Sequence, residues 1–79
     1  RGFVYTQILT ASVRLGIIEA LASGPKTAAQ LAEERSMSEE SCRRLLDGCV
    51  ALKLLERRGR HRYGLAVLGA ALLGNPSVA

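Results

Sequence analysis

Few residues in this 79-residue chain could do chemistry: two cysteines, one histidine, two adjacent glutamates and a run of arginines. Cys42 and Cys49 lie two helical turns apart, roughly 10 Å at helical rise. A disulfide cannot span that distance, and no neighbouring His or Cys completes a metal set. They read as reduced core thiols, which fits a cytoplasmic protein. His61 stands between Arg60 and Arg62, at a hairpin tip where a general base has no desolvating shelter. Gly59 to Gly64 has the spacing of a phosphate loop, but Leu65-Ala66 follows it where phosphates need Lys and a hydroxyl. Glu39 and Glu40 are paired carboxylates at a helix start, where they suit the positive end of the helix dipole. No Ser lies in a nucleophile-elbow context. The reading therefore assigns no catalytic, cofactor-binding or metal-ligating residue, and the domain is not catalytic by itself.

The elements that hold these residues centre on Ser41 to Leu55. Cys42, Leu45, Leu46, Cys49, Val50 and Leu52 fall on one helical face, and Arg43, Arg44, Asp47 and Gly48 on the other. Asp47 reads as solvent-facing, and Gly48 as a place where another helix approaches closely. Ser38 caps this helix, and Met37 ahead of it suits a hydrophobic staple onto Cys42. Upstream, Thr27 and Gln30 form a capping box that opens a helix over Ala28 to Arg35, with Leu31 and Ala32 buried. A shorter helix, Ile18 to Ala22, precedes it and ends at Ser23-Gly24-Pro25. Downstream, Leu54 to Arg58 and His61 to Leu65 read as two strands around Gly59, with Leu55, Tyr63 and Leu65 inward and the arginines toward water. A last helix, Ala66 to Leu73, stops at Gly74-Asn75-Pro76. Glycines 59, 64, 69 and 74 are evenly spaced but fall in unlike elements, so their period reads as chance.

The first helix, Phe3 to Leu15, carries too many apolar residues for one face. Phe3, Val4, Tyr5, Ile8, Leu9, Ala11, Val13 and Leu15 cover most of its circumference. A domain this small cannot bury such a helix alone, so a second surface is implied. Leu15-Gly16-Ile17 reads as its stop, with Gly16 left-handed.

The expected fold is mainly α, a winged helix-turn-helix with a short two-stranded β-hairpin wing, forming one domain over residues 1–79. That fold serves both DNA binding and dimerisation. The net charge of +4 equals the contribution of Arg57, Arg58, Arg60 and Arg62, because the other seven cations balance the seven acids. Arg43, Arg44 and those four wing arginines are the DNA contacts the first alternative would use. Against it, Glu39 and Glu40 stand at the helix tip that would meet the phosphates, so nucleic acid is the less favoured partner. The uncharged run Gly64 to Ala79 is broken by four Gly or Pro residues and is too short for a membrane span. The chain opens on Arg1 rather than Met and is read as a fragment of a longer protein.

Several phrases in order resemble the N-terminal dimerisation domain of the S-adenosylmethionine-dependent O-methyltransferases. They are VRLGIIEAL (13–21), TAAQLAEE (27–34), CRRLLDGCVALKLLER (42–57) and YGLAVLGAALLGNPSVA (63–79). GFVYTQIL (2–9) and LGAALLGNPSVA (68–79) are similar to the bacterial hydroxyneurosporene (demethylspheroidene) subgroup of carotenoid synthesis. The resemblance implies a homodimer interlocked through the first and last helices, with Phe3, Val4, Tyr5, Ile8, Leu9, Leu68 and Leu72 at the interface. It also implies that the first helix closes the partner's substrate pocket, making Phe3, Tyr5 and Gln7 its candidate neighbours. The S-adenosylmethionine site and a His general base would belong to a Rossmann-like catalytic domain following residue 79. The parent reaction would methylate a hydroxyl of a small apolar molecule, with a carotenoid alcohol as the subgroup's candidate. Lys53 stands where many relatives have Gly, implying left-handed strain, and Ala66 where many have a Thr cap.

Overall fold

The computed structural model describes residues 2–73, with side chains described from Tyr5 onward. The stop expected at Gly74-Asn75-Pro76 lies outside the described residues. Helix α1 spans Gly2–Arg14. It ends as expected at Gly16, whose φ of 72° and ψ of 24° are left-handed, a conformation that costs glycine no Cβ clash. The second helix is split: α2 covers Ile17–Ala20 and a 3-10 turn covers Leu21–Ser23.

A two-residue strand, β1 (Lys26–Thr27), comes next. Thr27 closes that strand and opens α3 (Ala28–Arg35): its hydroxyl accepts from the Gln30 N–H at 3.1 Å, and the Gln30 amide oxygen accepts from the Thr27 N–H at 2.8 Å. This reciprocal pair satisfies two of the helix's orphan donors. Helix α4 spans Glu39–Ala51 under the expected cap, with Ser38 Oγ accepting from the Ser41 N–H at 3.1 Å.

Both α3 and α4 end in the same way. The Met37 N–H returns to the Ala32 carbonyl at 2.9 Å, and the Leu54 N–H to the Cys49 carbonyl at 2.9 Å. These are the six-to-one bonds of a Schellman ending. Each requires a left-handed residue, here Ser36 (φ 58°) and Lys53 (φ 68°), neither of them glycine. The strain expected at Lys53 is therefore present in the backbone.

The hairpin pairs β2 (Leu55–Arg58) with β3 (Arg62–Leu65) in antiparallel register, Leu55 opposite Leu65 and Arg57 opposite Tyr63. The sheet has a third strand that the two-stranded expectation lacked. β1 adds to the free edge of β3, Lys26 opposite Tyr63 and Thr27 opposite Arg62, giving the order β1-β3-β2. Helix α5 spans Val67–Leu73.

The core is the space between these elements. Ile17, Ile18 and Leu21 meet Ala28, Leu31 and Ala32 of α3 and Cys42, Leu46 and Cys49 of α4, with Leu54, Leu55 and Tyr63 closing the hairpin side. Gly48 provides the close approach expected of it, since a Cβ there would lie 2.9 Å from Ile8 Cδ1 of α1. The even glycine spacing conceals a second close contact. Gly69 is buried with its α-carbon against the Leu54 carbonyl oxygen, where a Cβ has no room. The described glycines of that series meet unlike surroundings, so the contact at Gly69 owes nothing to the spacing.

Two stability changes follow. Gly69→Ala forces α5 off the Leu54 carbonyl and lowers unfolding free energy by about 1–3 kcal/mol or more, as overpacking does. Lys53→Gly relieves a left-handed residue and raises it by up to about 1 kcal/mol, after the entropy of the added glycine is subtracted. Urea unfolding of each variant measures both.

Candidate interaction surface

Helix α5 has the sequence Val-Leu-Gly-Ala-Ala-Leu-Leu, without one polar side chain. Only Gly69 of it is buried. Val67 is 83% exposed, Leu68 46% and Leu72 47%, and Leu73 is also exposed. Such a helix has no solvent-compatible face. Beside it, Val13 of α1 is exposed, and Val13, Ile18, Glu19, Leu72 and Leu73 line a groove of about 150 Å³. Leu68 and Leu72, both expected at an interface, therefore lie on an apolar surface that continues onto α1.

Helix α1 itself is less uniform than its composition suggests. Ile8 and Leu9 are half-buried and pack on the chain's own core. Thr6, Gln7, Thr10 and Arg14 form an exposed polar strip, lining with Ala11 and Leu15 an open hollow of about 520 Å³. Tyr5 and Gln7, the candidate pocket neighbours, are both exposed. The side chains of Phe3 and Val4 lie outside the described residues.

Four of the six arginines expected as DNA contacts are neutralised within the fold. Arg43 pairs with Glu39 at 2.6 Å, Arg44 with Glu40 at 2.9 Å, Arg57 with Asp47 at 2.8 Å and Arg58 with Glu56 at 2.6 Å. Among the described residues Arg60 and Arg62 take no carboxylate; they flank the exposed His61 on the hairpin. A phosphate backbone would have to compete with four existing ion pairs, and the charges give a nucleic-acid role no support.

Asp47 corrects another expectation. It is half-buried rather than solvent-facing, and its Oδ1 accepts from the Tyr63 hydroxyl at 2.8 Å and from Arg57 Nη2 at 2.8 Å. Arg57 Nη1 also donates to the Tyr63 hydroxyl at 3.3 Å, with its guanidinium carbon 5.2 Å from the Tyr63 ring centre. Arg57 thus folds back onto the helix instead of pointing only to water. Burial raises the Tyr63 hydroxyl above its ordinary pKa, and the Asp47 carboxylate raises it further.

The two thiols are free and fully buried. Desolvation pushes Cys49 from an ordinary 9.0 up to about 11; the Ser12 hydroxyl opposes this and Cys42 adds to it. Ser12, also fully buried, donates to the Leu9 carbonyl at 2.9 Å. Cys42 is raised by burial as well. Among the described residues no three His, Cys, Asp or Glu side chains gather as metal ligands, and no helix is long and apolar enough to cross a membrane.

Comparison with known proteins bears on what covers the apolar surface. Residues 1–75 match the model of the O-methyltransferase dimerisation domain. The chain is 43% identical over 77 residues to demethylspheroidene O-methyltransferase of Cereibacter sphaeroides, covering 98% of this chain and 20% of that one. Human N-acetylserotonin methyltransferase, solved with SAM, superposes with a TM-score of 0.77 at 38% identity, over 87% of this chain and 21% of that one. Methyltransferase CalO6 gives 0.86 at 32% identity, over 96% and 25%. The chain thus spans about a fifth to a quarter of the length of these relatives.

The buried thiols set a pH dependence. Their folded pKa values lie above the ordinary one, so stability is fully present below pH 9 and falls as pH rises toward about 11. Denaturant midpoints measured across that window should decline, and a thiol reagent at neutral pH should label Cys42 and Cys49 only after unfolding.

Proposed function

The chain belongs to the O-methyltransferase dimerisation domain family, and from that premise we propose that it is the assembly domain of a homodimeric, S-adenosylmethionine-dependent O-methyltransferase. One observation carries the reading: α5, the last helix described, has no polar side chain and leaves Val67, Leu68, Leu72 and Leu73 exposed. Burying a leucine fully is worth about 1.5–3 kcal/mol, so each half-exposed leucine that a second copy covers adds roughly 1 kcal/mol to association. Val13 and the groove beside Leu72 extend the same surface onto α1. Tyr5 and Gln7, with Phe3, are the residues of α1 we assign to the rim of the partner's substrate pocket.

The described residues do not fit S-adenosylmethionine. No glycine-rich turn opens a helix after a strand here, and Glu34, Glu39, Glu40, Asp47 and Glu56 already bind this chain's own cations. We therefore assign the donor site and the histidine base to a Rossmann-like catalytic domain that follows this one in the parent. The acceptor is a hydroxyl on a small apolar molecule. Similarity to demethylspheroidene O-methyltransferase supports a carotenoid alcohol as the specific candidate. The buried, reduced thiols support a cytoplasmic location.

The test is assembly of the parent chain. Leu72→Asp or Leu68→Asp should convert a dimer to a monomer in sedimentation velocity, with unchanged far-UV circular dichroism. Arg60→Ala should leave the dimer intact, and raising salt should not dissociate it, because the contact is apolar. A Leu72→Asp protein that stays dimeric refutes the reading. The reading frame beyond Ala79 should encode a strand, a glycine-rich turn and an acidic residue in Rossmann order.

A further inference from the structure

We propose that Asp47, acting through Tyr63 and Arg57, is a positioning residue for self-association, although it lies on α4 rather than on the apolar surface itself. The inference rests on the reading of α5 as the dimer helix. Asp47 stands on the helix whose other side, Cys42, Leu46 and Cys49, is wholly buried, so its carboxylate is carried by an element anchored in the core. From there it holds β3 through the Tyr63 hydroxyl and β2 through Arg57, both at 2.8 Å. Tyr63 is 3% exposed, so its ring is fixed in the core and its hydroxyl is aimed at the Asp47 carboxylate.

What β3 does next gives the contact its reach. Strand β3 ends at Leu65 and α5 begins at Val67, leaving Ala66 as the whole connection. The Ala66 N–H donates to the Leu54 carbonyl at 3.1 Å, and Gly69 packs against the same oxygen. Helix α5 is thus tied to the base of the hairpin at its start, while further along Leu72 and Leu73 lie beside Ile18 and Glu19 of α2. The direction in which Leu68 and Leu72 face depends on how the hairpin sits on α4, and Asp47 adds a directional polar contact to the seat that buried Leu54, Leu55 and Tyr63 make. Releasing that contact rotates the apolar surface without removing any atom from it.

The experiment uses the full parent chain and measures the dimer dissociation constant by sedimentation equilibrium alongside unfolding by denaturant. Asp47→Ala should weaken the dimer about tenfold, within the usual range of couplings between sites. Tyr63→Phe, which keeps the ring and removes only the hydroxyl, should weaken it in the same direction. Asp47→Asn should restore assembly to near the parent value, since an amide oxygen still accepts from both donors. Ser38→Ala removes the cap at the start of α4, where the hydroxyl accepts from the Ser41 N–H, and lowers stability without breaking a bond to the hairpin or α5, so its dissociation constant should not change. The proposal is overturned if Asp47→Ala assembles as the parent does, or if Ser38→Ala weakens the dimer as much as Asp47→Ala. Leu72→Asp separates this inference from the one beneath it. Should Leu72→Asp dissociate the dimer while Asp47→Ala does not, only the positioning role fails. Should Leu72→Asp leave the dimer intact, both fail.

Discussion

The packed side of α4 is the constraint on which the rest of this domain depends. Cys42, Leu46 and Cys49 are each fully buried, and every other element is placed by touching that helix or something that touches it. Two of the three are cysteines, small residues that let neighbours approach more closely than leucines would. Gly48, one residue before Cys49, lets Ile8 of α1 come in over the helix backbone. The Schellman ending then turns the chain at Lys53 so that Leu54 and Leu55 enter the same core from the hairpin.

A core organised around one short helix is soon full. Seventy-nine residues do not enclose enough volume to bury α1, α4 and α5 together, and the fold resolves the excess unevenly. Helix α1 presses Ile8 inward and shows water a strip of Thr6, Gln7, Thr10 and Arg14. Helix α5 has no such strip. The charged residues follow the opposite course, closing on one another along α4 and the hairpin as local ion pairs. The surface therefore divides into a polar side on which the acids of α4 and the hairpin each hold an arginine, and an unsatisfied apolar one. That division is what a self-associating domain needs, and it is poor equipment for holding a polyanion.

Local features were legible in the sequence, and features made by chain reversal were not. The Thr27–Gln30 box, the Ser38 cap and the left-handed turn at Gly16 each depend on residues within one helical turn, whereas the turn at Lys53 was expected only through the family resemblance. Strand β1 is only two residues long, too short for any alternation, and exists because β3 offers it an edge some 36 positions later. Asp47 lies opposite the cysteines on a helical wheel, which is why it looks solvated. Only the returning hairpin brings Tyr63 and Arg57 to it. Gly69 is required by a carbonyl fifteen residues earlier, at Leu54, which no period could reveal. In α1 the surplus of apolar residues was readable, but not how much of it Gly48 would absorb.

The position of α5 along the chain also orders events during synthesis. Helices α3 and α4 and the β2–β3 hairpin are built from neighbouring residues and form quickly, whereas β1 must wait until β3 exists to pair with it. All of these precede α5. On a ribosome, this helix without a polar face leaves the exit tunnel after the segments that make the core have emerged. Its adhesive surface is exposed only when a seat for it already exists on the Leu54 carbonyl, which shortens the interval in which a nascent chain could stick to the wrong neighbour.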